Sequence, residues 1–79
     1  MRLQYRHNGY FVDLFVRVSN QVAIAMYKNF GYTVYRQVLG YYSTEEDAYD
    51  MRKAMPRDRD KKSIIPVGRP IYPYELEFD

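Results

Sequence analysis

Residues 10 to 32 read YFVDLFVRVSNQVAIAMYKNFGY, and the change of period inside this stretch decides the fold. From Tyr10 to Val18 the residues are β-branched or aromatic, and Tyr10, Val12, Leu14, Val16 and Val18 are all apolar, which predicts a strand with one apolar face. The alternate face carries Phe11, Asp13, Phe15 and Arg17. Asp13 and Arg17 would sit about 13 Å apart at strand rise, too far to pair, so both are expected as solvated or rim charges. Ser19 or Asn20 then suits a helix N-cap, because a short polar side chain there accepts from an orphaned backbone amide. Val22, Ala23, Met26, Tyr27 and Phe30 recur at three-and-four spacing as an apolar stripe, and Gly31 supplies a C-terminal stop.

Outward from this strand and helix, TVYRQVLGYY from Thr33 to Tyr42 reads as a second extended segment. Strand, helix and strand with short links predict an α+β arrangement in which the helix packs on a sheet. Residues 43–55, STEEDAYDMRKAM, divide between two readings. Thr44 with Asp47, acids first, bases last and Pro56 beyond favour a helix. The alternation of Tyr49, Met51, Lys53 and Met55 with Ala48, Asp50, Arg52 and Ala54 instead fits a hairpin strand after a STEED turn. From Arg57 the chain changes character. The run RDRDKK and the proline-rich VGRPIYPYELEFD read as an extended or disordered tail over 57–79, without a core of its own, although Ile64, Ile65, Val67, Ile71 and Tyr72 offer apolar groups for docking. Residues 1–56 would then hold roughly 55 residues around three strands and one helix, a sheet with open edges and one face only partly covered.

Composition excludes several classes. The 79 residues contain no cysteine and one histidine, His7, so neither a disulfide framework nor a thiolate or multi-histidine metal site is expected. The opening MRLQYRHNGY lacks an apolar run of signal-peptide length, and no stretch approaches the roughly 20 apolar residues of a membrane span, so a soluble, cytoplasmic protein is expected. A net charge of +2 with both signs interspersed is too mild to specify a nucleic-acid partner. Ten tyrosines are the larger anomaly. They leave open a small tyrosine-rich module that binds protein or single-stranded nucleic acid without catalysis.

Seven helical residues make nearly two turns, so Asn20 and Tyr27 fall on almost the same face, about 10 Å apart along the axis. A long thin ligand could meet an amide beside the positive end of the helix dipole and a phenol against an apolar wall. On spacing alone, a simple cap and a core tyrosine are the commoner explanation.

VDLFVRVSNQVAIAMYKNFGYTVYR resembles the later half of a Gcn5-related N-acetyltransferase domain, in which a strand leads into a helix bearing an N…A…Y…GY pattern. More narrowly, DLFVRVSNQVAIAMYKNFGY, the later YY, DAYDMRKAM and KKSIIP together resemble the catalytic subunits of the N-terminal acetyltransferase B family, over about Gly9 to Pro66. The resemblance implies transfer of an acetyl group from acetyl-CoA to the α-amine of proteins beginning Met-Asp, Met-Glu, Met-Asn or Met-Gln. It also implies a cytosolic heterodimer with a large helical-repeat auxiliary subunit, acting on nascent polypeptide N-termini, associated with the ribosome only indirectly, and using no metal, membrane or direct nucleic-acid contact. Residue by residue, Asn20 matches the asparagine at the cofactor's pantetheine region. Tyr27 matches the tyrosine near the thioester sulfur, a candidate general acid for the departing thiolate. Tyr41 and Tyr42 match paired tyrosines that embrace the substrate's N-terminal backbone. The resemblance also makes 48–55 a strand paired with the preceding one.

Two departures stand out. Gly40 occupies the place before the tyrosine pair where the family carries an acid, and the loop from Tyr42 to Asp47 is short. The family's earlier half, a strand followed by a Q/R-x-x-G-x-G/A loop and helix that hold the cofactor pyrophosphate, is not in this sequence. The chain is therefore expected to supply one wall of the cofactor cleft, and to be inactive in isolation because one wall cannot position both reactants.

Overall fold

A computed structural model describes residues 5–7, 9–42 and 45–76. Strand β1 (Tyr5–His7) is followed by β2 (Phe11–Arg17), helix α1 (Gln21–Asn29), β3 (Thr33–Val38) and β4 (Ala48–Ala54), with short 3-10 turns at Lys62–Ile64 and Pro73–Glu75. The strands form one antiparallel sheet in the order β1-β2-β4-β3. The sequence reading lacked β1, which is only three residues long and follows no apolar alternation; its one local sign is the Asn8-Gly9 dipeptide, a hairpin signal.

β4 corrects the helix that local signals favour for this segment and agrees with the strand implied by resemblance. It lies between β2 and β3, pairing Phe11 with Ala54 through Arg17 with Ala48 on one side and Val38 with Ala48 through Thr33 with Arg52 on the other. Burial on both faces overrides helix propensity, since Ala48, Asp50 and Met51 are fully enclosed. The acids that resembled a helix first turn serve distant groups instead. Asp47 accepts from Gln37 Nε2 at 2.7 Å and from Gly40 N at 2.9 Å.

The helix covers one face of the sheet. Leu14, Val16, Ile24, Tyr32 and Met51 form its core, with Val12, Ala23, Tyr27, Val34 and Tyr49 packed around them. The seam of α1 is therefore Ala23, Ile24 and Tyr27. Val22, Met26 and Phe30 of the predicted stripe are exposed, a rotation that admits Ile24, the residue the stripe omitted. Asn20 is the N-cap, its side chain accepting from Ala23 N at 3.2 Å. At the other end Gly31 N donates to Lys28 O and Tyr32 N to Tyr27 O, a Schellman closure that needs the positive φ of Gly31, +95°.

The opposite face is not solvated. Phe15, Val38, Ala48 and Ile71 form a second cluster against which Tyr41, Tyr42 and Leu76 pack. Ile71, from the segment read as a tail, makes a parallel bridge to Val38 and is buried, whereas Ile65 and Tyr72 stay exposed. Asp13, expected as a surface charge, is buried beside Asp50, with Arg36 Nε 2.8 Å from Asp50 and Arg52 Nε 4.0 Å from Asp13. A bulge between Val34 and Arg36 brings both Tyr35 and Arg36 to this face, and Arg52 lies between the rings of Tyr35 (3.6 Å) and Phe11 (3.9 Å). Burial and the neighbouring Asp50 push the Asp13 carboxyl far up, so it holds a proton that the pair can share in a hydrogen bond.

Candidate functional site

The C-terminal end of β2, the start of α1 and the β3–β4 loop meet at one end of the sheet, and Glu46 stitches them together. Its carboxylate accepts from Arg17 Nη1 at 3.0 Å, from Ser19 N at 3.2 Å and from the Ser19 hydroxyl. Val18 N also donates to Asp47 O at 3.2 Å. The Ser19 hydroxyl and Arg17 hold the Glu46 carboxyl below the usual carboxylate range, so the tie is charged at neutral pH.

Through this tie the tyrosine loop reaches the helix start. Strand β3 stops at Val38 rather than continuing to Tyr42, because Gly40 turns the chain with φ +59°. Tyr41 and Tyr42 consequently do not alternate across a strand; both pack on the face away from α1. The Tyr41 ring stacks on Phe15 at 4.7 Å with the planes 9° apart, and Tyr42 meets Tyr41 edge-on at 5.1 Å. The Arg17 guanidinium lies 4.0 Å from the Tyr42 ring centroid. Phe15, Arg17, Ser19 and Glu46 are thus the supporting residues that sequence reasoning missed. The Ser19 and Arg17 bonds to Glu46 span 27 and 29 residues, and no local pattern reports such a separation.

On the helix, Asn20 is exposed with its Oδ1 committed to the cap, so the amide Nδ2 is the group available to a ligand. Tyr27 is half-buried two turns further on. The Schellman closure folds Tyr32 back against it, the rings meeting edge-on at 5.6 Å. Burial, and then Tyr27 beside it, raise the Tyr32 phenol above its ordinary range, so the Tyr32 ring sits in the apolar wall as a neutral phenol. The structure therefore brings Asn20 and the Tyr41–Tyr42 pair to one end of the sheet, through Glu46, and places Tyr27 further along the helix.

The four candidate residues line neither of two cavities nearby. One of about 260 Å³ lies between β3 and the 66–70 turn, and one of about 480 Å³ is rimmed by Lys53, Arg59 and Lys61. Among the described residues no cluster of three or more His, Cys, Asp or Glu could hold a metal ion, and no helix is long and apolar enough to cross a membrane.

This strand, helix and antiparallel sheet are those of a segment of a Gcn5-related N-acetyltransferase fold. The chain is 44% identical, with a TM-score of 0.78, to the crystal structure of Chaetomium thermophilum Naa20 in complex with a bisubstrate analogue, over 85% of this chain and 40% of that one. Within that class the likeness is to the catalytic subunit of N-terminal acetyltransferase B. The Arabidopsis thaliana catalytic subunit of that complex is 66% identical over 71 residues, 90% of this chain and 41% of its own length. A solved NatB acetyltransferase complex bound to CoA and MES is 45% identical with a TM-score of 0.55, over 60% of this chain and 32% of that one. The chain thus spans about two fifths of the length of the curated relatives it matches. No protein-family model matches it.

Proposed function

We propose that this chain supplies one wall of an N-terminal acetyltransferase of the B type, which moves an acetyl group from acetyl-CoA to the α-amine of a protein N-terminus. The observation that carries the reading is the Glu46 tie, which joins the Asn20 helix start to the loop bearing Tyr41 and Tyr42. An elongated donor lying along α1 and a peptide held by the tyrosine pair would meet at that end of the sheet. Asn20 Nδ2 would donate to an amide carbonyl of the donor's pantetheine arm. Tyr27, its ring fixed by Tyr32, would deliver the proton that stabilises the departing thiolate. The two tyrosines would flank the acceptor's backbone, with Met followed by Asp, Glu, Asn or Gln as the substrate class.

The solved relative with CoA supports the choice of donor, and the relatives' naming as subunits of a complex supports an auxiliary partner. That partner is proposed as a large helical-repeat subunit in the cytoplasm that presents nascent chains at the ribosome. One wall leaves the reactants unaligned, so the isolated chain should transfer no acetyl group.

An amide NMR titration of the 79-residue chain with acetyl-CoA tests the wall. Shifts at Asn20, Tyr27 and their neighbours are expected. Shifts absent there, or appearing instead on addition of an oligonucleotide, would remove the reading in favour of a binding module. Acetylation of a Met-Asp peptide above background by the chain alone would sink the claim of inactivity and leave the donor site standing.

A further inference from the structure

The tyrosine pair has little backbone structure of its own. β3 has ended at Val38, and in the loop Tyr42 N donates to Glu46 O at 3.1 Å and Glu45 N to Tyr42 O at 2.9 Å. Side-chain contacts help to orient the two rings: Arg17 lies against Tyr42, and both rings pack on the cluster that Phe15 and Ile71 help to form. Phe15 lies beneath Tyr41, and Ile71 enters the same cluster from the far end of the chain.

Ile71 is held there with unusual firmness for a residue outside the regular strands. Its N–H donates to Gln37 O at 2.9 Å and its carbonyl accepts from Leu39 N at 2.7 Å, so it extends the edge of β3 up to the two residues before the pair. Val67 N donates to Tyr35 O at 2.9 Å and begins the docking four residues earlier. The turn beyond is locked by Glu75, which accepts from Tyr72 N at 2.8 Å and from Arg69 Nη2 at 3.1 Å, and it returns Leu76 to the cluster beside the tyrosines. Only 3% of Ile71 remains exposed.

We propose that Ile71 is a positioning residue for the acceptor site: docked on the edge of β3, its side chain sets the arrangement of Tyr41 and Tyr42. The proposal rests on the reading of that pair as the acceptor clasp. Truncating Ile71 opens space in the cluster on which both rings pack, and they repack into it. Substrate grip then depends on a residue 29 positions beyond Tyr42 that itself need not touch substrate.

The test uses the whole chain in three forms: parent, Ile71→Ala and Ile71→Val. Ring signals of Tyr41 and Tyr42 are assigned through Tyr41→Phe and Tyr42→Phe, and binding of a Met-Asp peptide and of acetyl-CoA is titrated separately. Ile71→Ala should move both ring signals and weaken the peptide by roughly tenfold, with Asn20 and Tyr27 signals and acetyl-CoA affinity unchanged. Ile71→Val, one methyl smaller, should recover most of both effects. Unmoved tyrosine rings in folded Ile71→Ala would overturn the proposal, and so would equal shifts at Asn20 and Tyr27, which signify general loosening. If Ile71→Ala does not fold, Ile71→Val decides: a small shift of both tyrosine ring signals with Asn20 and Tyr27 unmoved supports the proposal, and no shift of the tyrosine rings overturns it. A parent that binds no peptide sinks the acceptor reading; a parent that binds peptide while its rings ignore residue 71 sinks this inference alone.

Discussion

Replacing Arg52 with Met should destabilise the fold by about 3 kcal/mol. Met keeps an unbranched stem between Phe11 and Tyr35, so the loss falls on charge and donors rather than on volume. The charged bond from Nη1 to Ser63 O, 2.8 Å long in a half-buried setting, disappears and leaves that carbonyl without this donor. The Asp13–Asp50 pair keeps Arg36 but loses its second cation. Removing one partner from a buried pair ordinarily costs about 3–5 kcal/mol, and the proton on Asp13 places this case at the low end. A domain this small has a stability near the lower part of the 5–15 kcal/mol range, so urea unfolding followed by far-ultraviolet circular dichroism should show the midpoint fall by roughly 2–3 M at unchanged slope. Repeating the measurement in an Asp13→Asn background should give a coupling of about 1 kcal/mol or more. An Arg52→Met midpoint equivalent to less than about 0.5 kcal/mol of change, or two strictly additive substitutions, would refute the idea that these charges act as one unit.

Two further outcomes follow from the same structure. Asp13 is pushed from 3.8 up to about 9, so across that window the folded chain keeps a proton the unfolded chain releases. Its contribution to stability is full below the ordinary carboxylate range and is lost as pH rises toward 9. Urea midpoints of the parent should therefore decline from pH 5 to pH 9, and Asp13→Asn should flatten that decline; a parent midpoint rising over the window would contradict it. Gly31→Ala should cost about 1–2 kcal/mol, because an alanine at φ +95° is strained, and should disturb the Tyr27–Tyr32 ring contact in aromatic NMR spectra.

What could be read from the sequence was what short range determines. Asn20 and Gly31 announce the helix ends because their partners, Ala23 and Lys28, are three residues away. β4 was ambiguous for a physical reason: a central strand buried on both faces loses simple alternation of apolar and polar residues, and its flanking acids mimic a helix cap. Asp13 looked solvated because its neutralising groups, Asp50, Arg52 and Arg36, arrive from two other strands. The complementary spacing of Asp50 and Arg52 was the one available hint. Of the candidate site, the Asn20–Tyr27 spacing follows from helix geometry. The choice of Tyr41 and Tyr42 as candidates came from family resemblance, and their packing near Phe15, Arg17 and the Ile71 cluster is a property of the assembled sheet.

The docking of residues 67–71 along β3 also bears on how the chain behaves in a crowded solution. An edge strand with free amides is a template on which another copy can add itself, and β3 is the longer of the two outer strands. Val67 and Ile71 occupy two of its main-chain groups and the Leu39 amide just beyond it, and Pro66 and Pro70 offer no amide to an incoming strand. The opposite border, β1, is three residues long and gives little purchase for strand addition. A version of this chain cut before Val67 should expose a bare β3 margin and be markedly more prone to aggregate than the intact molecule.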